Sequence, residues 1–399
     1  MNTLLALALA IGAGLLLSRL AKLVHLPNVT AFLVGGLLIG PSVLGLLDAK
    51  MVGSFSIVTE AALGFIAYAI GAEFRLDYIK QIGVKPVIIT LFQALTALAL
   101  VDIVLVLAGF PLPLAITMGA IATATAPAAT LMVIRQYKAK GVVSDMLLPV
   151  VAMDDAVGLV AFAISTAIAQ ALVSGAAPTA QAMVFAPLLE IVESLALGSG
   201  LGVALAFLAR FFKSRGNKLA LSIMVVFLGI ALCDMWGLSS LLVCMMIGAA
   251  MTNLSRDAKV LLEQCDRFTP PLFLLFFVIS GAELDLSVLP TVGLLGVLYV
   301  LVRALGKWLG AFVGSAAVKA PDNVRKYLGL TLIPQAGVAI GMAGMVMDLL
   351  PTYGAQIRAV VLAATLVYEL VGPVLTKLAL QRAGEIAPTA PKTPKPAKA

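Results

Sequence analysis

Apolar residues run almost unbroken for long stretches along nearly the whole chain, and polar residues gather in the short stretches between them. The runs are about 17–25 residues long, enough for a helix to cross roughly 30 Å of hydrocarbon. Lipid cannot satisfy exposed backbone groups, so such runs must be helices. Thirteen spans are expected, near residues 2–22, 29–47, 55–72, 84–108, 112–136, 142–172, 183–212, 218–235, 238–253, 267–281, 287–317, 324–349 and 355–381. Segment 254–266, "LSRDAKVLLEQCD", is charged but helical in pattern and reads as an interfacial helix or connector. The tail at 383–399 is rich in Pro, Lys and Ala and is expected to be disordered and cytoplasmic.

Composition sharpens this to one class. Of 399 residues, 61% are hydrophobic and 12% charged, with a mean hydropathy of +1.09. A soluble domain is about half apolar and a quarter charged. The chain is therefore an all-α polytopic membrane protein with a single transmembrane domain over 1–382. The net charge of +7 does not indicate nucleic acid, because the basic residues lie in short clusters between apolar runs. With the N-terminus outside, the cytoplasmic loops and tail collect 23 of the 27 lysines and arginines. The outer loops hold Lys50 and Arg358, and the last two, Arg303 and Lys307, lie within a span. That asymmetry predicts an odd number of spans and a cytoplasmic C-terminus in a cell membrane. Cys233, Cys244 and Cys265 suggest neither a disulfide framework nor a metal centre. The one histidine, His25, sits in a basic loop, and no cofactor is expected. The first apolar run has its charges after it and is expected to be a retained helix, not a cleaved signal.

The chain repeats itself. "AIGAEFRLDYI" (69–79) resembles "ISGAELDLSVL" (279–289), setting Glu73 and Glu283 210 residues apart, while Pro127 and Pro334 are 207 apart. Seven spans separate the copies, an odd number, so the second is inverted. The repeats cover roughly 29–172 and 238–381. An inverted-topology repeat is a signature of secondary transporters.

Both prolines fall mid-span. In "GAIATATAPAATLMVIRQ", Thr123, Thr125 and Thr130 surround Pro127; in "LTLIPQAGVAIGMAG", Thr331, Gln335 and, with Gly329 just before the stretch, four glycines surround Pro334. Proline removes a backbone donor and clashes with the preceding turn. In matching positions of inverted copies, the two predict discontinuous helices meeting near the midplane. Their ends would offer free carbonyls to cations and free N–H groups to anions.

The run "LLPVVAMDDAVGLVAFAIS" puts Asp154 and Asp155 side by side in an apolar span. One charge at the bilayer centre costs roughly 2.5–3.5 kcal/mol on insertion scales. Adjacent positions on a helix point about 100° apart, so one carboxylate can face a cavity and the other a neighbouring helix. Lys307, near the middle of "LVRALGKWLGAFVGSA", is the expected ion-pair partner. Arg303, one turn earlier, reads as a structural counter-charge to Asp285 or Glu283, or as functional. Burial raises the pKa of a carboxyl and lowers that of an ammonium, so both move toward neutrality, where protons exchange readily. A cavity lined by oxygens with one carboxylate suits a hard cation such as sodium. Proton and cation would then compete for the same carboxylate. Competition at a site opened alternately to each side is antiport. An intramembrane aspartyl protease would need its two aspartates on separate helices, facing each other across a peptide. A cation channel would pass ions without a proton gradient and far faster.

The ordered motifs "GAIATATAPAATLMVIRQ", "VVAMDDAVGLV", "FFVISGAELDL", "RALGKWLGAF", "TLIPQAGVAIG" and "LVYELVGPVLTK" resemble the monovalent cation:proton antiporters, in the branch of bacterial sodium/proton and glutathione-gated potassium/proton antiporters. The resemblance covers nearly all of 1–382. It implies thirteen helices, a six-helix ion-carrying core with crossed broken helices, a dimerisation domain, hence a homodimer, and an elevator-like movement. It also implies that Asp155 is the essential ion-binding aspartate, with Asp154 and Lys307 as the pair of electrogenic members. Asp–Asp, where electroneutral members have Asn–Asp and glutathione-gated ones Gln–Asp, favours electrogenic exchange of protons for sodium or lithium; potassium/proton exchange is the alternative. Thr123, Thr125 and Gln335 are candidate ion or proton ligands, and Pro127 and Pro334 mark the broken helices. Ala126 stands where the family often has Ser, so one possible oxygen ligand is missing. The chain is expected to lack the soluble nucleotide-binding domain of the potassium branch. Glu369, near the inner end of the last span, is read as structural. The partners expected are a monovalent cation, protons and lipid.

Overall fold

The computed structural model describes residues 2–23, 26–72, 74, 76, 83–174, 185–284, 286 and 292–386. These residues form sixteen helices and no strand. The first half runs α1 (Thr3–Leu23), α2 (Asn28–Ile39), α3 (Ala49–Gly53), α4 (Ser56–Ala72), α5 (Lys85–Leu107), α6 (Leu112–Ala122), α7 (Pro127–Tyr137) and α8 (Val142–Ser174). Then come α9 (Ala186–Leu208) and α10 (Arg215–Trp236). The second half is α11 (Ser240–Leu254), α12 (Ala258–Glu283), α13 (Gly293–Ala317), α14 (Asp322–Thr331), α15 (Gly337–Leu349) and α16 (Pro351–Arg382). Eight of these are long and apolar enough to cross a membrane. With α3 set aside, and α6/α7 and α14/α15 each taken as one interrupted helix, the described helices make thirteen apolar segments.

The repeat is visible in the helix starts. Lys85 and Gly293, Leu112 and Asp322, Pro127 and Gly337, and Val142 and Pro351 are 208 to 210 residues apart. Its inversion is visible where the counterparts α5 and α13 touch. A Cβ on Gly306 would lie 2.7 Å from Cα of Ala97, one on Gly310 2.6 Å from Cα of Gln93, and one on Gly314 3.1 Å from Cα of Ile89. Numbers rise along one helix as they fall along the other, so equivalent helices run antiparallel. The glycines let the two backbones approach closely, as small residues do between membrane helices. Glu73 and Asp285 lie outside the described residues; Glu283 is exposed at the end of α12.

Three boundaries differ from expectation. The charged segment 254–266 does not stand apart from the span after it: α12 runs through both, past Pro270 and Pro271. Two of its charges are paired in place, Asp257 with Lys218 at 2.8 Å and Asp266 with Arg135 at 3.0 Å, while Leu261 and Cys265, four residues apart, are buried. The span expected at 29–47 is helical only to Ile39, where Gly40 leaves the helix in an extended conformation. Residues 383–386, assigned to the tail, are packed. The Glu385 carboxylate accepts from Val143 N (2.6 Å), Ser144 N (2.8 Å) and Ser144 Oγ (2.5 Å), satisfying amides that the first turn of α8 leaves without helical partners. The remaining tail residues, 387–399, lie outside the described residues.

Candidate functional site

The two interruptions cross in contact. Between α6 and α7 the chain runs Thr123–Ala126, and between α14 and α15 it runs Leu332–Ala336. Ala126 N donates to Pro334 O at 2.9 Å, Thr130 Oγ1 to Thr331 O at 3.2 Å, and Thr125 Oγ1 to Leu332 O at 3.4 Å. Pro127 opens α7, at a position where a missing N–H is harmless. The C-terminal ends of α6 and α14 therefore meet here, their last carbonyls without helical partners and each end carrying a partial negative charge.

Helix α13 supplies two cations to that point, Arg303 and Lys307, four residues apart on one face and both wholly buried. Arg303 Nε donates to Ala122 O (3.0 Å), Nη2 to Ala124 O (2.6 Å) and Nη1 to Ile333 O (2.7 Å). Its guanidinium stacks over the Tyr368 ring, 4.5 Å from the centroid. Lys307 Nζ donates to Thr123 O, to Gln93 Oε1 (2.6 Å), to Thr125 Oγ1 (2.9 Å) and to Asp154 Oδ2 (2.9 Å). These contacts correct two expectations. Arg303 is no counter-charge to Glu283: its planar donors clip together carbonyls of both interruptions. The carbonyls at the crossing are also not free for a passing cation, because Arg303 and Lys307 already occupy them.

Of the two aspartates, only Asp154 is held. It is fully buried, with Oδ2 on Lys307 and Oδ1 accepting from Gln93 Nε2. Asp155 is 6% exposed, and its buried Oδ1 has no hydrogen-bond partner among the described residues. Thr123 reaches the same helix: a Cβ on Gly158, one turn beyond Asp155, would lie 3.1 Å from Thr123 Oγ1. That hydroxyl donates to Ala120 O at 2.6 Å. Gln335 is turned elsewhere, its Nε2 donating to Ile121 O (2.9 Å) and to the Tyr299 hydroxyl (3.0 Å). Ala152, Met153, Ala156 and Val157, which bracket Asp155 on α8, border a cavity of about 320 Å³ shared with α9 and α11. Its walls are almost wholly apolar, and Asp155 is not among them.

The structure thus joins Lys307, Asp154, Thr123 and Thr125 in one network and leaves Gln335 and Asp155 bonded to none of them. It adds Gln93, which sequence reasoning missed. The signal was there: Gln93 is the one amide in the apolar run of α5. It bridges both members of the ion pair, donating to the carboxylate and accepting from the ammonium. Among the described residues no cluster of His, Cys, Asp and Glu could hold a metal ion.

The family profile described as sodium/hydrogen exchanger, transmembrane, matches residues 5–382. No curated protein matches the chain in sequence. Among solved structures, the fold is similar to the sodium proton antiporter MjNhaP1 from Methanocaldococcus jannaschii at pH 8. That match has a TM-score of 0.74 at 20% identity and covers 96% of this chain and 98% of the other. An electron-microscopy map of the same antiporter matches with a TM-score of 0.77 at 21% identity, over 98% of this chain and all of the other. The interrupted, inverted helical fold and the match across nearly all of the chain agree: the protein belongs to the transmembrane sodium/hydrogen exchanger family.

Proposed function

We propose that the protein exchanges protons for sodium or lithium by alternating access, electrogenically, with Asp155 as the carboxylate for which the two ions compete. The observation that supports this is the asymmetry of the aspartate pair. Asp154 has its charge and lone pairs satisfied by Lys307 and Gln93, whereas Asp155 keeps a buried oxygen without a partner one position away. A buried carboxylate oxygen left unbonded is costly. Either a proton or a small hard cation relieves that cost, and the two exclude each other. Lys307 and Asp154 would then add a second titrating unit: if the lysine takes up a proton when the site empties, more than one proton moves per cation. The pair would titrate together, not as separate residues. The distribution of Lys and Arg supports an N-terminus outside and a C-terminus in the cytoplasm.

The test is transport by the purified protein in proteoliposomes carrying a pH-sensitive dye. Sodium added outside should collapse an imposed proton gradient, potassium should not, and Asp155→Asn should abolish the response. Exchange driven by potassium alone would replace sodium as the substrate. Flux of cations in the absence of any coupled proton movement would indicate a channel, and full activity in Asp155→Asn would remove the site.

A further inference from the structure

Glu369 lies near the centre of α16, between Pro351 and Arg382, and not at its inner end as expected. It is 4% exposed, and its carboxyl makes no hydrogen bond or ion pair with any described residue. Thr365 and Thr376, also buried, have hydroxyls without partners among the described residues. Spacings of four and seven residues bring these side chains back to within about 40° and 20° of Glu369 around the helix. Gly372 faces the same side, and a Cβ there would lie 2.7 Å from Cγ of Pro334. A file of three unpartnered polar groups therefore runs along the side of α16 that packs on the second helix interruption.

No described charge accounts for the glutamate. Helices α2 and α6 bring no titratable side chain, and α15 none among the described ones. Helix α7 brings Arg135, paired with Asp266, and Tyr137, which lies under Lys377. On α13, Arg303 is spent on carbonyls and Lys307 on Asp154. Helix α14 brings Asp322, Arg325, Lys326 and Tyr327, of which Arg325 pairs with Asp322. On α16 itself, Tyr353 and the exposed Arg358 lie near its start, and the Tyr368 hydroxyl donates to Val300 O. A carboxyl inside a membrane helix is expensive unless paired or functional. Buried polar groups in a row without protein partners are what ordered water ordinarily joins, and threonine hydroxyls both donate and accept.

The helix register adds an independent observation. α16 is the repeat counterpart of α8, and their starts, Val142 and Pro351, are 209 residues apart. The counterpart of Asp155 is therefore Ala364, and Glu369 stands five residues beyond it, about 7.5 Å along the axis. Each of the two long counterpart helices thus carries a buried, unpaired carboxyl near its middle.

We infer that Glu369 is a second proton-binding carboxyl of the exchanger, reached along the Thr365–Glu369–Thr376 face and exchanging protons next to the interruption at Pro334. This rests on the antiport reading above. The step is proton transfer alone: hydronium gives its proton to the carboxylate, and the carboxyl later returns it to water.

The test uses the full chain in proteoliposomes and reads turnover, the sodium KM and the pH profile together. Glu369→Gln should lower turnover by about tenfold or more, leave the sodium KM unchanged and flatten the pH profile, and Glu369→Asp should restore much of both. A merely structural carboxyl would be replaced by the amide without moving the pH profile, so wild-type turnover and pH profile in Glu369→Gln overturn the inference. Should that variant fail to fold, the wild-type protein is treated with a hydrophobic carbodiimide, which reacts with protonated carboxyls, and its peptides are weighed. Modification of Glu369 that falls as pH rises supports the inference; none, or the same amount at every pH, overturns it. Wild-type protein without exchange would instead sink the antiport reading, so the two failures are distinct.

Discussion

Lys307 Nζ stands 2.9 Å from Asp154 Oδ2, and neither side chain has any exposed surface. A buried pair of this kind gains little over a well-packed apolar pair, because desolvation offsets the attraction. Removing one partner is different, since the other charge is then stranded. Lys307→Met and Asp154→Leu are each expected to destabilise the protein by about 3–5 kcal/mol. The double variant should cost clearly less than the two together. Thermal unfolding in detergent measures this, and additive losses would show that the pair is not coupled. Transport by Lys307→Met, if it folds, should lose its dependence on membrane voltage.

Gln93 links the two charges. Gln93→Leu strips a donor from Asp154 and an acceptor from Lys307 without adding charge. A loss of roughly 1.5–3 kcal/mol is expected, the range for hydrogen bonds to charged groups, with exchange impaired. Unchanged stability and unchanged exchange would show that the amide merely fills space.

Arg303 ties Ala122, Ala124 and Ile333 together through three separate nitrogens. A lysine cannot reproduce that fork. Arg303→Met should unfold at a lower temperature than Arg303→Lys, and both below wild type, because each buried carbonyl left unpaired costs about 1–3 kcal/mol. Equal melting temperatures for all three would refute the clip.

Glu385 holds the first turn of the helix that carries both aspartates. Glu385→Ala is expected to cost about 1–2 kcal/mol, as for loss of a helix cap. The Val143 and Ser144 amides should exchange hydrogen faster, whereas amides near Asp155 should change little. Hydrogen exchange read by mass spectrometry decides it, and unaltered protection at 143–144 would remove the cap.

The α5–α13 crossing makes a steric prediction. Gly310→Val places methyl groups where Cα of Gln93 and O of Phe92 already lie, 2.6 Å from an added Cβ. Separating the helices would draw Gln93 away from Lys307, so this variant should lose stability and transport together. Gly12→Ala, where an added Cβ meets nothing within 4 Å, should lose neither.

Much of this protein could be read from the linear order of its residues, because the membrane makes the rules simple. Long apolar runs had to be helices. Pro149, Pro270, Pro271 and Pro373 sit inside unbroken helices, whereas the matching places of Pro127 and Pro334 in the two copies pointed to interruptions, and charges in the apolar runs needed a reason to be there. Pro127, Pro334, Asp154, Asp155 and Lys307 stood out on that ground alone. Boundaries were less readable where charge was neutralised locally: the ion pairs of Asp257 and Asp266 hide that α12 is one helix. The Lys307–Asp154 pair was expected, but the other partners were not in the sequence. That Asp155 keeps a free oxygen, that Arg303 takes carbonyls instead of carboxylates, and that Gln93 and Glu385 matter depend on which faces the helices turn to one another. Hydropathy sets whether a segment crosses the bilayer, because it sums over many residues. Hydrogen bonds depend on ångströms between segments as many as 242 residues apart, such as Val143 and Glu385, and those distances exist only once the helices have packed.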